Sequence, residues 1–246
     1  MIMAAYNGAM IATRLLNLLR PLALLACALP LIGLFWAGQH DQLGSNPVER
    51  LISETGEWSL RLLLATLAVT PLRKMLGLPA LARWRRMLGV WSLVYALLHF
   101  AAYAWLEMAL DLGEILRDIM TRPVITVGLL ALVFMLPLGA TSFNQAIRYL
   151  GAARWQRLHR LVYLVAILSV LHFFLKKAGK NDFAEVSVYA ALLLALLGWR
   201  LHDKWRKGDF KGFFSASTHS CGHQPHQPQH PMGADIKPIV FHRKKP

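Results

Sequence analysis

The chain has 246 residues, of which 56% are hydrophobic, and a formal net charge of +14. Its mean hydropathy of +0.41 excludes an ordinary soluble domain and predicts an integral membrane protein. The positive charge does not indicate nucleic-acid binding, because lysine and arginine cluster between apolar runs, as in cytoplasmic loops of membrane proteins. Two cysteines are too few for a disulfide framework, and Cys27 is expected to pack as a small hydrophobic residue.

Six apolar runs follow one another along the chain, and polar or basic residues separate them. They predict an all-α, polytopic bundle of about six transmembrane helices, since a helix needs roughly 20 apolar residues to cross a bilayer. The predicted helices comprise residues 21–39, 58–72, 87–106, 123–140, 155–176 and 183–201.

Composition divides the chain into three parts. Residues 1–20 are a cytoplasmic lead-in, residues 21–207 form the membrane domain, and residues 208–246 are a cytoplasmic tail rich in His, Pro and polar residues. We expect the tail to be disordered, because it cannot bury a core. The stretches 41–57 and 107–122 are expected to be loops on the outer side.

The distribution of charge predicts the orientation. With both termini in the cytoplasm, the inner segments hold 20 of the 27 lysines and arginines. The opposite orientation would invert this ratio, and positive residues favour the cytoplasmic side. The outer loops then carry ten of the thirteen acidic residues. We therefore expect an acidic outer surface, with residues 107–118 as the best docking segment for a basic partner.

Three histidines lie within the apolar runs. Ionisable residues at membrane depth are costly and are functional candidates, and imidazole is a common ligand of haem iron. From helix rise, His99 lies roughly 18 Å, and His172 roughly 22 Å, above the inner end of its helix, whereas His159 lies about 3 Å above it. The heights predict one bis-histidine haem between His99 and His172. A second haem at His159 would need an unusual partner, since Arg85 and Arg86 lie at its level.

Other interpretations of these residues stay open. A lone histidine in an apolar helix is often a hydrogen-bonded packing residue. The spacing of 13 residues between His159 and His172 turns an unbroken helix by about 220°, so the two would not share one narrow face. Arg61 could pair with haem propionates or a quinone, although snorkelling to the outer interface is the favoured interpretation.

Several motifs together resemble one known family. They are RRMLGVWSLVYALLHF (85–100), RPVITVG (122–128), LPLGATS (136–142), and WQRLHRLVYL (155–164) followed by LHF (171–173). Over about residues 10–207 the chain resembles the MsrQ (YedZ) family, the haem-bearing membrane subunit of the MsrPQ system, within the ferric-reductase-like transmembrane superfamily.

The resemblance implies six transmembrane helices in the bacterial inner membrane and b-type haem, one or two per chain. It implies a non-catalytic subunit that passes electrons from the quinone pool to MsrP, a periplasmic molybdenum enzyme that reduces methionine sulfoxide and so repairs oxidised proteins. The histidines that the family associates with haem match His99, His159 and His172. FMN is also attributed to the family, but this chain contains no residue motif for it.

Two other functions compete with this one. The first is a self-contained ferric-reductase-like protein that delivers electrons to a small acceptor such as ferric iron. The second is a transporter whose histidines bind substrate or protons. A b-type absorption spectrum separates the transporter from both redox functions.

Overall fold

A computed structural model of the chain describes residues 2–179 and 182–206, with side chains from residue 18 onward. The regular secondary structure of these residues is all helical, and the tail predicted for residues 208–246 lies outside them. The α-helices are α1 (Ile2–Gln39), α2 (Pro47–Leu76), α3 (Ala82–Ala102), α4 (Leu112–Thr121), α5 (Pro123–Ala140), α6 (Asn144–Leu150), α7 (Ala152–Leu158), α8 (Leu161–Ala178) and α9 (Ala184–Arg206).

Five helical segments in the described chain are long and apolar enough to cross a membrane, so the predicted all-α membrane class is confirmed. They are Leu18–Gln39, Pro79–Glu107, Pro123–Ala140, Ala152–Ala178 and Ala184–Arg206. The helix α2, which contains the second predicted span, is not one of them. It is long, but it carries Glu54, Glu57 and Arg61 in its first half, and these charges lower its hydropathy.

The predicted loop at 41–57 is wrong for most of its length, because α2 begins at Pro47. Asn46 caps the helix by accepting a hydrogen bond from the Glu49 amide at 3.2 Å, and Pro47 occupies a first-turn position that needs no backbone donor. The helix ends at Gly77, which adopts the left-handed conformation with φ of 65°. Polar residues in this stretch thus form the start of a helix.

The predicted loop at 107–122 is also mostly helical. A π-helical turn, Tyr103–Glu107, extends α3, and α4 follows at Leu112. Asp111 caps α4 by accepting hydrogen bonds from the amides of Gly113 and Glu114. Leu112, Ile115, Leu116 and Met120 lie on one side of α4 at spacings of three and four residues, and Glu114 and Arg117 lie on the other. The segment is therefore an amphipathic helix.

The fifth predicted span is not one unbroken helix. The helix α7 ends at Leu158, and α8 begins at Leu161. Between them the backbone bonds tighten, since the amides of Val162 and Tyr163 bond to carbonyls three residues earlier. The rotation of about 220° expected from an unbroken helix therefore does not apply between His159 and His172.

Helix packing brings α2, α3, α5 and α8 together. The helix α2 packs along α3, and α5 packs along α8, while α2 also contacts α8 and α9. The main core contains side chains from α2, α5, α8 and α9, among them Leu63, Leu67, Met135 and Val165. Cys27 is buried beside Tyr95, as predicted for a small hydrophobic residue. This arrangement surrounds the cavities described below.

Two serines join α2 to α3 at the level of the core. The Ser59 hydroxyl donates to the Ser92 carbonyl at 2.9 Å, and the Ser92 hydroxyl donates to the Ser59 carbonyl at 2.8 Å. Ser92 is fully buried. Small polar residues allow close helix approach, and such bonds fix the register of two helices in a membrane.

We predict that Ser92→Ala lowers the stability of the purified protein. The loss should be about 1 kcal/mol, typical of the stronger interhelical hydrogen bonds in membranes, or roughly 2–4 °C in the unfolding midpoint. Thermal unfolding in detergent measures it. Ser187→Ala is the matched control, because the exposed Ser187 hydroxyl bonds only within its own helix, to Ala184. Equal shifts for the two variants would contradict a role for the serine pair.

Candidate functional site

The first cavity lies between α2, α3, α5 and α8 and has a volume of about 730 Å³. Its walls are mainly apolar, with side chains such as Leu60, Phe100 and Leu132. His99 and His172 line it, on α3 and α8 respectively. The structure thus brings together two of the three histidines that the sequence analysis selected.

The two imidazole rings lie close together and nearly perpendicular. Their centroids are 5.9 Å apart, and the angle between their planes is 82°. His99 Nδ1 lies 2.7 Å from the Ile52 carbonyl oxygen, and His172 Nδ1 lies 2.8 Å from the Val124 carbonyl oxygen. A carbonyl can only accept, so each Nδ1 carries the hydrogen and each Nε2 keeps its lone pair. A hydrogen bond from the ring nitrogen that does not bind the metal is typical of histidines that ligate a metal.

Charged and polar side chains also line the first cavity. They include Glu49, Glu57, Glu107 and Lys176. The Lys176 ammonium group donates to the Ser53 hydroxyl at 2.8 Å. Sequence reasoning did not select Lys176, although its position one helical turn after His172 could have indicated it.

Arg61 has protein partners close to this cavity. Its guanidinium group donates to Glu57 at 2.7 Å and to the Tyr189 hydroxyl at 2.9 Å, and it lies 5.0 Å from the centre of the Trp58 ring. The interpretation of Arg61 as a side chain extended toward the interface misses these contacts. Arg61 links α2 to α9 and neutralises Glu57.

The second cavity lies at the opposite end of α3, between α2, α3, α5 and α8, and has a volume of about 340 Å³. His159 lines it and is separate from the His99–His172 pair. Its Nδ1 lies 3.2 Å from the Trp155 carbonyl oxygen, and its ring stacks on Trp155 with centroids 4.0 Å apart. The Trp155 indole in turn donates to the Thr141 carbonyl at 2.8 Å. The histidine is thus held in a fixed orientation.

Four arginines line the second cavity, and none of them forms an ion pair with a carboxylate of the described residues. They are Arg85, Arg86, Arg160 and Arg200. Arg200 donates to the Leu67 carbonyl at 2.7 Å and to the Tyr163 hydroxyl, and its Nε is buried without a hydrogen-bond partner. The sequence analysis selected Arg85 and Arg86 but not Arg160 or Arg200. This cavity is strongly positive and suits an anionic group.

The acidic residues predicted to form a docking surface are partly engaged within the protein. Asp118 is buried, accepts a hydrogen bond from the Tyr103 hydroxyl at 3.0 Å, and pairs with Arg122 at 3.2 Å. Asp182 and Glu185 both pair with Lys177. Fewer carboxylates therefore remain for a partner than the sequence count implied.

Comparison with known proteins defines the class first. Residues 55–170 match the family model described as "Ferric reductase like transmembrane component". This segment includes His99 and His159 and ends two residues before His172. The central part of the helical bundle, with its histidine-lined cavity, is thus similar to the transmembrane component of ferric-reductase-like proteins.

The family within this class follows from more similar relatives, each named "Protein-methionine-sulfoxide reductase heme-binding subunit MsrQ". The chain is 53% identical to the protein of Polaromonas naphthalenivorans over 76% of its own length and 86% of the relative's. It is 46% identical to that of Bordetella pertussis over 81% and 97%, and 42% identical to that of Caulobacter vibrioides over 73% and 84%. The chain therefore belongs to the MsrQ family.

The resemblance based on sequence motifs is confirmed by these relatives. The predicted multi-pass location in a bacterial inner membrane is confirmed as well, by the spans and the transmembrane family. No solved structure matches the chain.

Proposed function

We propose that the chain is an electron-transfer subunit that holds a b-type haem in the first cavity, with His99 and His172 as axial ligands. The observation that carries the proposal is the paired histidines, each with Nδ1 on a backbone carbonyl and with ring centroids 5.9 Å apart. Two imidazoles that share one metal ion at about 2.0 Å per bond have centroids roughly 6 Å apart. The names of the relatives, which specify a heme-binding subunit, support the same proposal.

The first cavity fits this cofactor in size and chemistry. Its volume of about 730 Å³ is within the range typical of cofactor sites, and its apolar walls suit a large planar ring. Lys176 would provide a cation for the haem carboxylates beside the three acidic side chains of the lining. When bound, haem supplies one-electron transfer between the ferric and ferrous states of its iron.

The residues of the chain have defined tasks in this proposal. His99 and His172 present neutral Nε2 atoms, and the carbonyls of Ile52 and Val124 hold their Nδ1 hydrogens. These hydrogen bonds increase the basicity of the ligands and fix the ring orientations. The apolar side chains of the lining, such as Leu60 and Leu132, would pack against the haem ring. With both histidines holding the iron, the site would supply electron transfer and would not bind a small substrate at the metal.

His159 is the proposed ligand of a second haem, whose carboxylates the four arginines of the second cavity would hold. No other histidine is among the described residues that line this cavity, so the opposite axial ligand would be of another kind. FMN, which the family resemblance implies, carries a phosphate that would suit the same arginines. One haem in the first cavity is the core of the proposal, and the second cavity accepts either anionic cofactor.

The proposed electron route follows the family. Electrons enter from the quinone pool, pass through the haem and leave to a periplasmic MsrP-like molybdoenzyme that reduces methionine sulfoxide. The chain itself then catalyses no substrate reaction. The alternative function is a self-contained ferric-reductase-like protein, and co-purification with a molybdoenzyme would separate the two.

We also propose that α2 is the sixth span and that both termini are cytoplasmic. Its polar residues lie inside the bundle, where Glu57 and Arg61 pair with each other and Ser59 bonds to α3. A buried helix of a membrane protein tolerates such residues when neighbouring helices satisfy them. The excess of basic residues on the proposed inner side supports this orientation.

A reporter experiment tests the topology. Fused after Gly208, a reporter that works only in the cytoplasm should be active, and one that works only in the periplasm should be inactive. An even number of spans returns the chain to the side of its N-terminus. A fusion at Leu110, before α4, should report the periplasm and is the control for export. Periplasmic activity after Gly208 would overturn the six-span arrangement.

Substitution of the histidines tests the ligand assignment. His99→Ala and His172→Ala should each reduce bound haem in the first cavity by more than tenfold, because each removes one of two bonds to the same iron. His159→Ala should leave the low-spin spectrum of that haem intact, since it lines the other cavity. The haem-to-protein ratio and the reduced-minus-oxidised spectrum provide the measurements. Equal, complete loss in all three variants, with each protein still monodisperse in detergent, would contradict this assignment.

Charge reversal tests docking of the partner at α4. Glu114→Lys should slow haem reoxidation by the molybdoenzyme several-fold at low salt, since Glu114 is an acid of α4 whose one described ion pair, with Arg117, is long and exposed. Arg148→Glu, on the proposed inner side, is the control. Stopped-flow measurements across ionic strength give the rates. An unchanged rate in the Glu114 variant, with no salt dependence in the natural protein, would exclude electrostatic docking here.

A further inference from the structure

The two histidines of the first cavity are held by the same local device on two different helices. His99 bonds to the carbonyl of Ile52, and its ring lies against Gly56, four residues later on α2. His172 bonds to the carbonyl of Val124, and its ring lies against Gly128, four residues later on α5. In both cases a carbonyl at one position is followed by a glycine one helical turn on.

Helix geometry explains why the two positions belong together. The carbonyl of a helical residue normally accepts the amide hydrogen of the residue four positions later, which here is the glycine. An imidazole that shares this carbonyl must approach the helix above that glycine. A side chain there would occupy the space of the ring. The carbonyl and the missing Cβ are therefore two parts of one binding feature.

The distances leave no room for a Cβ atom at either glycine. A Cβ on Gly56 would lie 2.9 Å from His99 Nδ1 and 3.0 Å from its Cε1. On Gly128 it would lie 2.7 Å from both Nδ1 and Cε1 of His172. These contacts are shorter than packed atoms allow, and a stiff ring held by a hydrogen bond cannot move away as a flexible chain end can.

No other glycine of the described residues lies against a histidine ring, although a Cβ on Gly139 would meet the end of the Leu93 side chain. A Cβ on Gly33 or on Gly198 would meet nothing within 4 Å. Glycine in a helix interior is unfavourable relative to alanine. Its presence at positions 56 and 128, each against a histidine ring, therefore needs an explanation. The rings provide that explanation.

We propose that Gly56 and Gly128 are positioning residues that set the orientation of His99 and His172 and thereby the electronic state of the metal they share. The effect on the shared metal rests on the proposed haem site, whereas the positioning of the two rings does not. Alanine at either position pushes one ring off its carbonyl. The ligand then loses its Nδ1 hydrogen bond, becomes a weaker donor and changes its angle to the other ring.

The first experiment uses the haem-loaded, full-length protein. Gly56→Ala and Gly128→Ala should raise the midpoint potential and alter the low-spin ferric EPR signal, because that signal responds to the angle between imidazole planes. Bound haem should also fall at least twofold. Gly33→Ala and Gly198→Ala should change none of these. Unchanged potential and EPR spectrum in both site variants would overturn the proposal.

The second experiment needs no haem and therefore separates this proposal from the proposed function. In the haem-free protein, Gly56→Ala should lower the unfolding midpoint by several degrees, because the added methyl group clashes with the ring. In a His99→Ala background the same change should be neutral or stabilising, since the ring is gone. Gly128→Ala and His172→Ala form the matching cycle. Additive effects in both cycles would overturn the inferred contact.

If the natural protein bound no haem, the proposed function would be wrong, but the unfolding experiments on the glycine and histidine variants would still test the contact. If Gly56→Ala alone does not fold, recovery of folding in the Gly56→Ala, His99→Ala double variant supports the clash, and failure to recover refutes it.

Discussion

The bond between an imidazole and a helix carbonyl is the interaction on which the rest of the structure depends. It fixes the hydrogen on Nδ1 of His99 and His172, so Nε2 of each neutral ring keeps its lone pair. Each carbonyl lies on a different helix from its histidine, so two helix pairs, α2 with α3 and α5 with α8, must keep their registers. The Ser59–Ser92 hydrogen bonds maintain the first of these registers. The packing of α2 on α3 and of α5 on α8 therefore holds the two imidazole rings in place.

The membrane explains why polar groups in this bundle are so fully paired. A lipid core offers no water to an unsatisfied donor or acceptor, so each must find a protein partner or line a cavity. Arg61 accordingly pairs with Glu57 and Tyr189, and Asp118 with Tyr103 and Arg122. The exception among the described residues is Nε of Arg200, buried beside the second cavity without a partner.

Hydropathy and spacing predicted the helical class, the limits of α5 and the common level of His99 and His172, because these follow from local composition and helix rise. Asn46 and Pro47 are a local signal for the start of α2, but the polar residues that follow them favoured a loop in the sequence analysis. The apolar pattern of residues 155–176 did not indicate that α7 and α8 are separate. Polar residues such as Glu54 are typical of loops between membrane spans. In this protein they lie in a helix, α2, which packs against neighbouring helices. Lys176 could have been selected from its position one helical turn after His172, whereas the role of Gly128 depends on His172, which is distant in sequence.

The arginine cluster of the second cavity has a consequence for energetics across the bilayer. Four cations without described carboxylate partners create a potential that favours negative charge at that end. Among the described residues that line the first cavity, Lys176 is the one lysine or arginine, and it lies there with Glu49 and Glu107, so negative charge is less favoured at that cavity. In the proposed orientation, the field of the protein therefore retains an electron on the cytoplasmic side. A membrane that is negative inside acts in the opposite direction, by about 2.3 kcal/mol per charge for each 100 mV. The membrane potential and the fixed charges of the chain thus make opposite contributions to the energy of an electron on the cytoplasmic side.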